Sequence, residues 1–110
     1  ILPCGTVLRK RYKIKQLIAQ GGFGVTYLAA DTQLSTGDVA IKEFFMSSHC
    51  GRSMNSTAVT VSDIGDNRQV FTDYKAKFIK EAKIISQFQK TPGIVKVLDI
   101  FEENNTAYYV

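Results

Sequence analysis

The sequence predicts an α+β domain in which a five-stranded antiparallel sheet packs against one principal helix. Runs of β-branched and aromatic residues, separated by turn residues, occupy the first half of the chain and its last part. Between them, one segment repeats apolar residues at the three- and four-residue spacing of a helix. Because the first three strands follow one another closely, they can pair as an antiparallel meander.

The first two strands are predicted on either side of a glycine-rich turn. Residues 12–18 alternate polar and apolar side chains, and residues 25–30 are β-branched, aromatic and apolar. The turn contains Gly21, Gly22 and Gly24, which free the backbone and let a ligand approach closely. A phosphate chain bound by backbone N–H groups suits such a loop, and a tight hairpin without a ligand is the alternative.

The context of this turn separates three classes of phosphate-binding loop. A Walker-type loop would carry Gly-Lys-Ser/Thr at the start of a helix, and a dinucleotide-binding loop would also open a helix. Here the chain continues as a strand after Gly24. Strand, glycine loop and strand in succession are typical of the nucleotide-covering loop of protein kinases.

The next part of the chain contains one clear strand and one long connection. A polar turn at residues 31–38 leads into a third strand at 39–45. Residues 46–70 are rich in Ser, Asn, Asp and Gly, and we predict a partly ordered insertion with a short strand near 58–62. A connection of this length is unusual in a compact domain unless it is mobile or functional.

The helix is predicted from Thr72 to about Phe88, and Pro92 with the following glycine ends it. A fourth strand is predicted at 94–101, and after a hairpin loop a fifth begins at 107–110. The apolar stripe of the helix consists of Tyr74, Phe78, Ala82, Ile85 and Phe88.

Glu81 lies on this stripe, three residues after Phe78 and four before Ile85. A carboxylate in that position is costly unless it meets a cation or stays at the edge of the core. If the helix packs on the sheet, Lys42 of the third strand can be that cation. In the alternative, Glu81 reaches water at the edge of the stripe and Lys42 is an ordinary surface lysine.

Composition indicates one globular domain of ordinary type. Of the 110 residues, 45% are hydrophobic and 22% charged. The net charge of +4 is spread along the chain, so nucleic-acid binding is not predicted. Cys4, Cys50 and His49 are fewer than the four ligands of a structural zinc site, so we predict no metal site and reduced thiols in a cytoplasmic protein. No segment has the pattern of a signal peptide or membrane span.

Together these residues resemble the N-terminal lobe of a eukaryotic-type serine/threonine protein kinase, and most resemble its bacterial members. The resemblance rests on Gly-Gly-Phe-Gly-Val-Thr-Tyr-Leu-Ala at 21–29, Val-Ala-Ile-Lys-Glu-Phe-Phe at 39–45, Glu81 and the strands after it. It covers residues 12–110 apart from the 46–70 insertion. It implies that residues 1–110 form an N-terminal lobe whose C-terminal lobe is absent from this chain.

The resemblance also implies the residues of a nucleotide site. Lys42 would anchor the phosphates and Glu81 would hold Lys42, which makes these two the expected catalytic residues. Ile85 and Val97 resemble members of the hydrophobic spine of active kinases, although core packing alone also accounts for them. The expected ATP-binding residues are Ile18, Ala19, Gln20, Gly21, Gly22, Phe23, Gly24, Thr26, Ala40, Lys42 and Val95, of which Ile18, Thr26, Ala40 and Val95 would line the adenine pocket.

Two of these positions depart from the family pattern. Ala19 stands where the family has its first loop glycine, and Thr26 stands where it has valine. Both changes can weaken nucleotide binding without abolishing it. The family's catalytic aspartate and its magnesium-binding Asp-Phe-Gly belong to the C-terminal lobe. The fragment alone is therefore expected to be inactive, with its metal ligands in that lobe.

The expected parent is a bacterial, cytoplasmic kinase that uses ATP and Mg²⁺ to phosphorylate serine or threonine in a protein substrate. Two alternatives belong to other functional classes. Ala19 suggests a pseudokinase or scaffold, and the exposed face between the lobes suggests an interaction module that dimerises.

Overall fold

The computed structural model describes residues 2–33, 37–46, 50–52, 57–61, 65–87 and 97–110. Within these ranges, the chain forms an antiparallel sheet, a separate two-stranded hairpin and one helix. The elements are β1 (Val7–Leu8), β2 (Tyr12–Gln20), β3 (Gly24–Asp31), β4 (Asp38–Phe44), β5 (Cys50–Arg52), β6 (Val59–Val61), α1 (Asn67–Ser86), β7 (Ile100–Glu103) and β8 (Thr106–Tyr109).

The predicted architecture, an antiparallel sheet with one principal helix, is confirmed. The main sheet has the strand order β1-β2-β3-β4-β8-β7, and the five predicted strands correspond to β2, β3, β4, β7 and β8. β1 adds a sixth strand of two residues at the edge. This strand was not predicted, because two residues are too few to show alternation. Arg9 and Lys10 form the turn after β1, with φ of 51° and 52°.

Several element boundaries differ from the predicted ones. α1 begins at Asn67 rather than Thr72, because Phe71 is buried and packs on the sheet. β7 begins at Ile100; the predicted strand residues 94–96 lie outside the described ranges, and residues 97–99 form no strand. The short strand predicted near 58–62 is β6, which pairs with β5.

The two faces of the main sheet have different surroundings. Side chains of β3 alternate between buried and half-buried, as expected for a pleated strand. One face carries most of the buried side chains of β3 and β4, and we call it the back face. Its members include Val25, Tyr27, Ala29, Ile41, Glu43 and Tyr108. The opposite, front face includes Gly24, Thr26, Ala40, Lys42, Phe44 and Tyr109.

Helix α1 packs on the front face through aromatic rings. The ring of Phe44 lies 5.2 Å from Phe71 and 5.6 Å from Phe78, measured between centroids. Phe78 in turn lies 5.2 Å from Tyr109. These contacts fix the helix beside the ends of β4 and β8, so its side chains border the part of the front face that carries Lys42.

The N-terminal segment closes the other side of the molecule. The backbone N–H of Leu2 donates to the hydroxyl of Tyr27 at 2.9 Å, and Leu2 is itself buried. At the sheet edge, the backbone N–H of Arg9 donates to Glu103 at 3.0 Å, and the Arg9 guanidinium pairs with Asp99. Residues 2–10 are therefore joined to β3 through Leu2 and to β7 through Arg9.

Candidate functional site

On the front face, a cavity of about 690 Å³ lies between the glycine-rich turn and helix α1. It combines aromatic rings with two lysines and one carboxylate. Its walls include eight residues expected at the site, namely Ala19, Gln20, Gly21, Phe23, Gly24, Thr26, Lys42 and Glu81. Phe44, Tyr74, Lys77 and Phe78 complete the lining.

A second cavity of about 380 Å³ lies beside the first, next to the first residues of β4 and the last residue of β8. Ala40, predicted for the adenine pocket, lines it together with Val39, Leu98 and Val110. Thr26 and Lys42 line both cavities, so they stand at the junction between the two. Among the other expected residues, Ile18 and Gly22 line neither cavity, and Val95 lies outside the described ranges.

The glycine-rich turn is a tight hairpin that approaches β4 closely. The N–H of Gly21 donates to the carbonyl of Gly24 at 2.9 Å, and the N–H of Phe45 donates to the carbonyl of Phe23 at 3.0 Å. A Cβ on Gly24 would lie 3.2 Å from the carbonyl oxygen of Glu43 and 3.4 Å from Cε of Lys42. A side chain on Gly24 would therefore crowd β4, so the absence of a Cβ favours this close approach of the turn to the lysine.

The tip of the turn also touches the helix. The rings of Phe23 and Tyr74 lie 5.5 Å apart, with 31° between their planes. The ammonium of Lys77 lies 4.8 Å from the centroid of the Tyr74 ring. Phe23 is nevertheless 56% exposed, so this contact joins turn and helix without burying the turn.

Lys42 and Glu81 face the same cavity from opposite sides. In the described part of the chain, which contains both residues, they form no ion pair. The Lys42 ammonium instead lies 5.9 Å from the centroid of the Tyr109 ring. The structure thus brings the predicted partners to one site, and their pairing stays a prediction for another position of the helix.

Comparison with known proteins agrees with this fold. Serine/threonine-protein kinase PknA of Nostoc sp. is 26% identical over 105 residues, and serine/threonine-protein kinase B of Synechocystis sp. is 28% identical over 109 residues. A solved structure described as PpkA-294 in its apo form matches with a TM-score of 0.89 and 33% identity. This chain has the fold of a protein-kinase N-terminal lobe. No family model matches it.

The matches cover nearly all of this lobe and a small share of its relatives. They span 94% and 97% of this chain but only 16% of either curated kinase. The solved structure is matched over 99% of this chain and 37% of its own length. No described helix of the lobe is long and apolar enough to cross a bilayer.

The two expected spine residues of the lobe lie in different surroundings. Val97 is buried, with 4% of its surface exposed, and Ile85 on α1 is half-buried. Their burial is compatible with core packing and with a spine, so their role stays a prediction.

Sequence analysis missed a cluster on the back face of the lobe, behind Lys42. Glu43 is fully buried and accepts hydrogen bonds from the hydroxyls of Tyr27 at 3.0 Å and Tyr108 at 2.5 Å. The Arg52 guanidinium donates to both carboxylate oxygens, at 3.1 Å and 2.6 Å. The burial of Glu43, though not that of Arg52, could have been predicted from the sequence. Ile41 and Phe45, two positions either side of Glu43 in an alternating strand, indicate a buried carboxylate.

The electrostatics of this cluster follow from its burial. Burial and then the neighbouring Glu43 charge raise the pKa of Tyr108 above its ordinary value. Burial acts to lower the pKa of Arg52, but the hydrogen bonds and charge of Glu43 outweigh it, and the net shift is upward. The cluster thus combines the Arg52–Glu43 ion pair with two tyrosine hydroxyls whose pKa values are raised, so both hydroxyls keep their protons at neutral pH.

Proposed function

We propose that this chain is the ATP-binding N-terminal lobe of a longer serine/threonine protein kinase, with Lys42 as its phosphate anchor. The observation that carries the proposal is the position of Lys42. It lies at the junction of the two cavities and beside Gly24 of the glycine-rich turn. A cation at such a junction can hold a phosphate chain in one cavity while a base occupies the other.

The two cavities suit the two parts of a nucleoside triphosphate. Ala40, Val39 and Val110 give the smaller cavity apolar walls for the adenine ring. The larger cavity offers the Lys42 ammonium, a compact point charge suited to phosphate oxygens. The turn would cover the phosphates, and Gly22, where an added Cβ would meet nothing within 4 Å, leaves the backbone accessible to them.

Glu81 would act by holding Lys42. A shift of α1 toward the sheet would bring the carboxylate to the ammonium, and the pair would then fix the lysine without neutralising the substrate. Because the pair is not formed here, the position of the helix would decide whether the lysine is held. This gives the lobe a switch between two states.

The rest of the reaction would depend on parts of the protein beyond this lobe. Bound Mg²⁺ would neutralise charge on the phosphates. By the resemblance to kinases, its ligands would come from a C-terminal lobe, along with the catalytic base. The substrate would be a serine or threonine of a protein, the lobe alone would be inactive, and the kinase would work in the cytoplasm.

An alternative role is favoured by two observations. Ala19 and Thr26, the positions that depart from the kinase pattern, both line the larger cavity. A weakened nucleotide site would suit a pseudokinase that serves as a scaffold. Ile18, Phe23 and Leu98 are also 51%, 56% and 66% exposed. They would give such a scaffold an apolar face for a C-terminal lobe or a second copy.

The test is nucleotide binding by the longer protein, measured by calorimetry with the non-hydrolysable analogue AMP-PNP and Mg²⁺. We expect Lys42→Met to weaken binding about 10- to 100-fold, since hydrogen bonds to charged groups contribute roughly 1.5–3 kcal/mol. Lys13→Met is the control, because Lys13 is an exposed lysine of β2 that lines neither cavity. Absence of binding, or binding that Lys42→Met leaves unchanged, would favour the pseudokinase.

A further inference from the structure

The buried cluster around Glu43 joins the three strands that carry the candidate site. Glu43 belongs to β4, Tyr27 to β3 and Tyr108 to β8, and both hydroxyls donate to its carboxylate. The Tyr27 hydroxyl also accepts from Leu2, and the Tyr108 hydroxyl accepts from Asn104 at 3.1 Å. One carboxylate therefore ties three neighbouring strands together on the back face.

These hydrogen bonds lie on the back face of the sheet, directly behind Lys42. In the strand register, Lys42 is opposite Thr26 on β3 and Tyr109 on β8. Each of these front-face residues is the chain neighbour of a residue in the cluster, because successive side chains of a strand point to opposite faces. A change in the spacing of the three strands at the cluster would shift the backbone from which Lys42 extends.

The cation of the cluster comes from the insertion. Arg52 ends β5, its side chain is 4% exposed, and its Nε donates to the carbonyl of Thr57 at 2.8 Å. The Thr57 hydroxyl donates to Asn104 at 2.9 Å, and the N–H of Val59 donates to the carbonyl of Asn104 at 2.7 Å. The β5–β6 hairpin is thus fixed both to the β7–β8 turn and to Glu43.

A buried ion pair contributes little net stability to a protein core. Two ions removed from water lose their hydration, and an apolar pair of similar volume is often as stable or more so. The ion pair instead contributes geometric specificity, because the planar guanidinium and the two hydroxyls fix the orientation of the carboxylate. The cluster is therefore better suited to fixing a position than to adding stability.

We propose that Glu43 and Arg52 are positioning residues for Lys42, so that the insertion hairpin sets the affinity of the site for phosphate. This rests on the proposed function, in which Lys42 binds the phosphates of ATP. Arg52 does not touch the nucleotide. Arg52 fixes the carboxylate of Glu43 in place. Through its hydrogen bonds, Glu43 fixes the spacing of β3, β4 and β8, and this spacing determines the position of the Lys42 ammonium.

The test uses the longer protein and two ligands, AMP-PNP and adenosine. The variant is Glu43→Leu with Arg52→Leu, which removes both charges together and avoids leaving one buried and unpaired. We expect affinity for AMP-PNP to fall about tenfold, since a misplacement of about 1 Å in a binding group can cost up to about 100-fold. Affinity for adenosine should fall much less, by no more than about twofold, because Lys42 only lines the smaller cavity and would form its charged hydrogen bonds with phosphates that adenosine lacks.

Three comparisons make the result specific. In a Lys42→Met background, the paired leucines should have no further effect on AMP-PNP, since the group they position is gone. Arg52→Lys keeps the charge without the fork and should give an intermediate loss. The control is Arg11→Leu with Asp31→Leu, which removes a second bidentate pair, at 2.9 Å and 2.8 Å, from the other end of β3. It should leave both affinities unchanged.

Equal losses for AMP-PNP and adenosine would show that the cluster only maintains the fold, and an unchanged AMP-PNP affinity would show that it does not act on Lys42. Either result overturns this proposal and leaves the proposed function standing. If the unmodified protein binds AMP-PNP no better than Lys42→Met does, the proposed function fails, and this proposal fails with it.

Discussion

Lys42 and Tyr109 lie opposite each other on β4 and β8, with the ammonium 5.9 Å from the centroid of the tyrosine ring. Tyr109 also contacts Phe78 of α1. The lysine thus rests against the ring that joins the sheet to the helix. A cation–π contact of this kind contributes only about 0.5–1 kcal/mol at an exposed site, so a phosphate or carboxylate would readily replace it.

The first prediction concerns Glu81. Because Glu81 is exposed and forms no ion pair within the described ranges, Glu81→Gln should change the free energy of unfolding of the chain by no more than about 0.5 kcal/mol. In the longer protein the same variant should weaken AMP-PNP binding. Urea denaturation and calorimetry measure the two effects. A loss of more than about 2 kcal/mol of stability would show that the pair already forms in the lobe.

The second prediction compares two glycines of the turn. Gly24→Ala should lower stability by about 1 kcal/mol or more and displace Lys42, because the added methyl group lies 3.2 Å from the backbone oxygen of Glu43. Gly22→Ala should be nearly neutral, since nothing lies within 4 Å of its Cβ position. Thermal unfolding of both variants tests this. Equal effects would mean that the turn does not approach β4 as described.

The third prediction concerns the aromatic contact between sheet and helix. Phe44 is 2% exposed and packs against two rings of α1, so Phe44→Ala should destabilise the chain by about 3–5 kcal/mol. Phe23→Ala removes the same ring from a position that is 56% exposed and should cost less than about 1 kcal/mol. Chemical denaturation compares them. A small effect at Phe44 would place the helix away from the sheet.

The fourth prediction concerns alkaline pH. Burial, opposed by the hydrogen bond from Leu2 and reinforced by Glu43, raises the pKa of Tyr27 from 10.0 to about 12. The unfolded chain then releases this proton at a lower pH than the folded chain does. The free energy of unfolding should therefore fall between these two pH values, by up to about 1.4 kcal/mol per pH unit for this group.

Tyr27→Phe should reduce the loss of stability per pH unit by the contribution of about one proton, while the buried Tyr108 keeps its own contribution. Urea denaturation at several pH values between about 8 and 12 measures the slope. Tyr74→Phe, which removes a hydroxyl from an exposed ring on α1, is the control and should leave the slope unchanged. Identical slopes for Tyr27→Phe and the unmodified chain would contradict the prediction.

Local patterns in the sequence were enough for most of the fold. Alternation predicted β2, β-branched and aromatic residues predicted β3, and the apolar run after a polar turn predicted β4. From their positions in the strand order, the glycine turn and Lys42 were predicted to share one phosphate site, and both line the larger cavity. The predicted helix was right in type but began too late, because its first turn contains Asn67 and Arg68, which show no apolar spacing.

The contacts that the sequence could not reveal are those between segments far apart in the chain. Nothing near Arg52 indicates that its side chain is buried, since the residues around it are polar and turn-forming. Its partner Glu43 lies nine residues away across the start of the insertion. Likewise, the bond from Leu2 to Tyr27 spans 25 residues. Such pairs depend on the tertiary arrangement of the strands, which no local pattern encodes.

The burial of Glu43 under the β5–β6 hairpin has a consequence for evolution. A lineage that lost the hairpin would lose Arg52 and leave a carboxylate in the core without a cation, which is strongly destabilising. The two features should therefore be gained and lost together. Among related lobes, those with a short connection between β4 and the helix should carry an apolar residue directly after the lysine. Those that keep the hairpin should keep the glutamate and the arginine as a pair.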